Sequence, residues 1–268
     1  MSDAQTLFDY LNCASTQPDD IQKFLTQLYL EDNSLANFYR TNRQETVYWP
    51  DIFEKIDEGK LLRARKSFDE LKPVIEKYGH AFDFDDFRRL MIVHDYGNLQ
   101  SAKTLTAAFA SELVLSHGDF HSKNVLVQGN HRPVIIDTGA IGHQYWCLDY
   151  ARLIVHIFTN GLDNGTADYF DPAILPRDIA VANRIIHLQP IDLDGKNDNF
   201  IVALNWLTAN YAAINEKAHL FELQLGLLKE FIQISYRSDT MPPNKRVLAL
   251  ISAHQCLLAA NTIVKSIE

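Results

Sequence analysis

Two short β-branched runs, Asn124-Val-Leu-Val127 and Val134-Ile-Ile136, flank Gln128-Gly129-Asn130 in a chain whose other apolar residues recur at helical spacing. Val and Ile suit a pleated, half-buried surface, and Gly with Asn supplies turn chemistry. The pattern predicts a β-hairpin. A hairpin sets its two ends side by side, and that constrains everything next to it. Asn124 enters the first strand, Asp137 leaves the second, and Asp119 lies in the loop just before them. Two carboxylates and an amide oxygen are therefore expected to face one small volume. Such hard oxygens suit Mg²⁺, which takes one or two carboxylates and completes its shell with water and phosphate oxygens. A carboxylate beside that ion is placed to accept a hydroxyl proton. Turn chemistry alone also explains Asp and Asn at strand ends; the joint pattern of three positions carries the functional reading.

Elsewhere the spacing is helical. Pro18-Asp19-Asp20 precedes Ile21, Phe24, Leu25, Leu28 and Tyr29, an acidic start followed by an i, i+3, i+4, i+7, i+8 stripe. Ser34 is read as the cap of a helix bearing Leu35, Phe38 and Tyr39. Further helices are expected from Pro50 to about Glu58, ended by Gly59, and over Leu61, Leu62, Phe68 and Leu71, with Pro73 kinking or ending the latter. Residues 80–100 fit a short strand or a helix. Past the hairpin, Asp149 starts DYARLIVHIF, Pro176 and Arg177 open RDIAVANRIIHL, and Asp198 caps FIVALNWLTANYAAI. LFELQLGLLKEFIQISY and KRVLALISAHQCLLAANTIVKSI follow. The expected fold class is mainly α with a small central β-hairpin. A single domain over 1–268 is expected, made of a helical lead-in (1–110), a loop and hairpin (111–150) and a helical bundle (151–268).

Composition narrows the function classes. A formal charge of −9 argues against a nucleic-acid partner, which would need a basic surface. No apolar run is read as approaching the ~18 residues of a membrane helix, and MSDAQTLFDYLNCASTQPDD lacks a signal-peptide core. Cys13, Cys147 and Cys256 are far apart and odd in number, which fits a reducing compartment; a cytoplasmic protein with no membrane partner is expected. GDFH with GNH at 129–131 lacks the upstream D-x-H of two-metal phosphoesterases. His94-Asp95 lacks a partner His. Asp192-Leu-Asp194-Gly-Lys-Asn197-Asp198 has its Gly in the wrong place for a calcium loop. Asp163, Asp168 and Asp171, with Tyr169 and Phe170, read as a solvated loop.

The chemistry-bearing stretch also carries a resemblance. His117-Gly-Asp119-Phe-His-Ser-Lys-Asn124 fits H-x-D-x-x-x-x-N, and Asp137-Thr138-Gly139 fits the D-x-G one hairpin later. The HGD form resembles the aminoglycoside and choline phosphotransferase family, which shares the protein-kinase-like fold; in protein kinases the middle residue is usually Arg. LDYARL at 148–153 resembles the family's next helix, whose first Asp braces the catalytic loop. Together with LANFYR, these segments also resemble kinase-like ternary-complex-associated domains. The resemblance implies Mg²⁺ and ATP as cofactors and a hydroxyl-bearing acceptor. It implies Asp119 as catalytic base, Asn124 and Asp137 as holders of Mg²⁺ on ATP phosphates, and Lys123 as a residue within reach of phosphate. It implies His117 and Asp149 as supports of the loop, and His121 as a lining of the substrate side.

The family's N-terminal β-lobe has no counterpart in the sequence. No G-x-G-x-x-G is present, and Lys77 in PVIEKYG reads as helical instead of occupying a V-A-I-K strand. The expected match is to the C-terminal lobe alone, with a missing lobe or a partner protein supplying the rest. Two function classes stay open at this point: an ATP- and Mg²⁺-dependent phosphotransferase, and a non-catalytic kinase-like scaffold that docks a partner protein.

Overall fold

A computed structural model describes residues 4–44, 58–80, 82–84, 112–161, 174–192, 198–215 and 218–266. Capping groups set the first helices. Thr6 accepts the Asp9 N–H and opens α1 (Leu7–Asn12). Pro18 begins α2 (Pro18–Tyr29), with Asp19 and Asp20 in the electropositive first turn. Ser34 accepts the Asn37 N–H at 3.5 Å and opens α3 (Leu35–Thr41).

The hairpin forms where the β-branched runs placed it. Writing β1 for Gln5–Thr6, β2 for Arg43–Gln44 and β3 for Leu113–Ser116, the hairpin strands are β4 (Val125–Gln128) and β5 (Arg132–Ile135). They pair antiparallel in the register Val125↔Ile135 to Gln128↔Arg132. One rung further, the Ile136 N–H donates to the Asn124 carbonyl at 3.0 Å. The reversal spans Gly129–His131, where Asn130 and His131 have φ of 61° and 60°. The hairpin is not alone, which corrects the expectation of one isolated β-element. β1 adds to β4, and β2, β3 and β6 (Gly142–Tyr145) form a second three-stranded sheet. These extra strands run two to four residues and pair with partners far along the chain, so no local alternation announces them. Pro133 is tolerated because β5 is an edge strand.

Two compact units interleave along the chain. The first comprises Met1–Thr46, Glu112–Asn164 and Leu188–His219. It holds α1 to α3, both sheets, α5 (Trp146–Gly161) and α7 (Asn199–Ile214), the last capped by Asp198 through the Phe200 N–H at 2.8 Å. α5 is buried all round except for Arg152, His156 and Asn160, a part-exposed stripe with a spacing of four. Aromatic rings lock this helix between its neighbours. Tyr150 meets Tyr29 edge-on at 5.2 Å, and Trp146 stacks on Tyr211 at 5.1 Å. The Tyr150 hydroxyl donates to the Leu207 carbonyl at 2.6 Å.

The second unit comprises Val47–Ser111, Gly165–His187 and Leu220–Glu268. It holds α4 (Glu58–Lys77), α6 (Ile174–Ile186), α8 (Leu220–Ser235) and α9 (Pro243–Lys265). One helix-end expectation is corrected here, since Gly59 lies in the first turn of α4; of the two outcomes expected at Pro73, kinking or ending, the second does not occur, because α4 runs through Pro73 to Lys77. Ala64, Phe68, Leu71 and Ile75 are all buried, so one apolar stripe continues across the proline. Burying each large side chain gains about 1.5–3 kcal/mol, against about 3 kcal/mol for the proline. Leu62 lies off that stripe and is exposed. Among the described residues, one helix is long and apolar enough to cross a membrane by length and composition, over Pro243–Ile263, where the sequence reading expected none. Two-thirds of its apolar window is buried, as in a core helix packed against α6 and α8. The helix expected over 50–58, apart from Glu58, lies outside the described residues, as do most of 80–100, the acidic 162–172 loop and residues 193–197 of the calcium-like stretch.

Gly161, the last residue of α5, is present because Phe200 of α7 sits on it: a Cβ there would overlap the ring. Replacing Gly by Ala in a helix gains at most about 1 kcal/mol, whereas overpacking costs about 1–3 kcal/mol. Gly161→Ala is expected to destabilise the chain. Urea denaturation reads the change, and an equal or higher midpoint would contradict this packing.

Candidate active site

The loop from His117 to Asn124 is tied down by a buried carboxylate. Asp149, in the first turn of α5 and 2% exposed, accepts the His117 N–H at 2.7 Å and the Gly118 N–H at 3.0 Å. It also accepts the Tyr39 hydroxyl at 3.3 Å. Burial pushes the Asp149 carboxyl above its ordinary range, and the two N–H donors oppose that rise. Gly118 has φ of +81°, and a Cβ there would overlap the Ala140 carbonyl oxygen. Only glycine meets both demands.

His117 is buried and its tautomer follows from its bonds. Nδ1 accepts the Asp119 N–H at 3.3 Å, so Nε2 carries the proton and donates it to the Ile136 carbonyl at 2.8 Å. Asn124 closes the same circuit. Its N–H donates to the His121 carbonyl at 2.8 Å, and its side-chain Nδ2 donates to the Asp119 carbonyl at 3.0 Å. His117 and Asn124 thus fasten the loop to the last rung of the hairpin, one residue before Asp137.

The three oxygen-bearing residues end in different states. Asp119 is half-exposed, its Oδ1 3.0 Å from Arg152 Nη1 and its Oδ2 3.7 Å from His121 Nε2. Asn124 is buried, with its amide nitrogen anchored and its amide oxygen without a protein partner among the described residues. Asp137 is exposed in the left-handed region at φ 57°, and its carboxylate has no partner among the described residues. Among those residues no group of three His, Cys, Asp or Glu side chains is arranged to hold a metal. The free oxygens of Asn124 and Asp137 are instead the sparse hard donor set that fits Mg²⁺ completed by phosphate and water.

The remaining expected residues lie beside this point. His121 is half-buried and stacks on His156 of α5, with centroids 4.9 Å apart and planes 17° apart. Burial pushes its pKa down, against the pull of Asp119. The Ser122 hydroxyl pairs with His156 Nδ1 at 2.8 Å. Lys123 is exposed, with its ammonium 5.3 Å from the centre of the Phe8 ring. Sequence reasoning missed Arg152, His156 and Tyr39 as site components. Arg152 could have been found, because it lies one helical turn past Asp149 inside the quoted LDYARL.

Residues 58–179 match the family described as the phosphotransferase enzyme family, a span that contains every residue of this site except Tyr39 and Phe8. No curated protein matches the chain. Among solved structures, a glucosamine kinase matches over 93% of this chain at 16% identity, with a TM-score of 0.43. The chain spans 59% of that kinase's length.

Two outcomes follow from this geometry. Asp149→Ala leaves two buried N–H groups without an acceptor and is expected to cost about 3 kcal/mol or more in urea denaturation; a loss within about 0.5 kcal/mol would mean the brace is dispensable. For pH, His80, His121, His219 and His254 are all displaced downward by burial. The unfolded chain therefore takes up protons first as pH falls below the ordinary 6.5, and stability is lost on acidification. The urea midpoint is expected to fall between about pH 7.5 and about 5.5, and to fall less in His121→Gln. An equal fall in both chains would remove His121 from that account.

Proposed function

Taking as premise the kinase-like phosphotransferase family that residues 58–179 match, we propose that this chain transfers a phosphoryl group from Mg²⁺·ATP to a hydroxyl of an acceptor. The observation that carries the reading is the contrast at the hairpin end. Among the described residues, the Asn124 amide oxygen and the Asp137 carboxylate are left without protein partners, while the rest of the loop is hydrogen-bonded into place. Unpaired hard oxygens beside an ordered carboxylate are what a cation-assisted transfer needs.

In this reading Asn124 and Asp137 hold Mg²⁺, which when bound neutralises charge on the phosphate oxygens. Asp119 orients the acceptor hydroxyl and receives its proton at Oδ2, the oxygen that Arg152 leaves free. His117 and Asp149 keep Asp119 at a constant depth in the loop. Lys123 reaches the phosphates by leaving the Phe8 ring, a contact worth only about 0.5–1 kcal/mol at an exposed site. Phosphoryl transfer asks for little covalent chemistry from the protein, so positioning and charge are the main contributions.

Saturating ATP with Mg²⁺ is expected to stabilise the chain, by about 2.7 kcal/mol at a hundredfold excess over Kd. The shift should vanish in Asp137→Ala and when EDTA replaces the metal. Thermal unfolding measures it. Absence of any shift with the native chain, or a shift that survives in Asp137→Ala, would overturn the proposal.

A further inference from the structure

The geometry points to Arg152 as the positioning residue of this site, one that selects which oxygen of Asp119 faces the acceptor; the inference rests on the phosphotransferase reading above. Arg152 is on the part-exposed stripe of α5, with its side chain 17% exposed. One nitrogen, Nη1, donates both to the Gly118 carbonyl and to Asp119 Oδ1. Its two hydrogens are thereby committed to two consecutive loop residues. The first bond sets the loop against the helix, and the second sets the carboxylate rotamer. Oδ1 is held at 3.0 Å and Oδ2 is turned toward His121 Nε2 at 3.7 Å, so the acceptor hydroxyl must come to Oδ2.

In a loose phosphoryl-transfer transition state the base chiefly orients the incoming oxygen. Orientation is the larger need, and a guanidinium with planar, directional donors meets it better than an ammonium. The ion pair is half-exposed on the Asp119 side, so its contribution to stability is small.

The test uses the whole chain and slow ATP hydrolysis, with water as acceptor, followed by released phosphate. Arg152→Ala is expected to lower kcat by on the order of 10²-fold with KM for ATP unchanged. Arg152→Lys should recover part of the loss, as should millimolar guanidinium added to the alanine variant. If Arg152→Ala fails to fold, Arg152→Lys carries the test through an intermediate kcat at native KM. Wild-type turnover in either variant, or equal changes in kcat and KM, overturns the inference. A native chain that neither binds nor hydrolyses Mg²⁺·ATP fails earlier and overturns the phosphotransferase reading itself.

Discussion

The buried carboxylate of Asp149 is the constraint on which the site depends. Removing a charged carboxylate from water costs several kcal/mol unless donors replace the lost water. Here the replacements are the backbone N–H groups of His117 and Gly118 and the hydroxyl of Tyr39. Those donors cannot move without exposing the charge to a low dielectric. The loop path past residue 118 is therefore dictated from inside the first unit, by a helix that is itself clamped by Tyr29, Tyr150, Trp146 and Tyr211. Packing of rings, far from any chemistry, is what fixes the height of Asp119.

The three aspartates of the site form a graded series. Asp149 is sealed and fully bonded, Asp119 is half-exposed and paired on one oxygen, and Asp137 is exposed and, among the described residues, unpaired. The same side chain occurs sealed, half-paired and open, and the surroundings alone separate the three states. The His117 imidazole links the second and third members, because its single tautomer needs both the Asp119 N–H and the Ile136 carbonyl.

Much of this was legible in the sequence because the signals are local. Ser34 and Asp198 cap the helices they precede, and the hairpin follows from two β-branched runs around a turn. What was not legible depends on distant partners. Gln5–Thr6 and Arg43–Gln44 are strands only because β4 and β3 offer them edges. Pro73 reads as a kink or a stop in isolation, and the helix continues because Ile75 lies on a stripe whose burial outweighs the local penalty. The ammonium of Lys123, expected within reach of phosphate, rests over Phe8, a ring more than a hundred residues earlier. The motif showed which residues gather at the hairpin end; it could not show which of their atoms would already be engaged.

Gly118 shows how a tight loop is held from the neighbouring helix. The chain turns there through φ +81° against the Ala140 carbonyl, where no side chain fits. A cation meets the backbone at this point from α5. Arg152, three residues past Asp149, is on the same face of the helix, so one helical turn presents first an acceptor for the loop's N–H groups and then a donor for its carbonyl and carboxylate. The opposite charges sit at different depths, the anion sealed and the cation at the margin. Reversing them would bury the arginine and leave the two N–H groups facing a like-signed partner. Helix α5 must therefore be buried along most of its surface and open along one stripe, and the spacing of Arg152, His156 and Asn160 is that stripe.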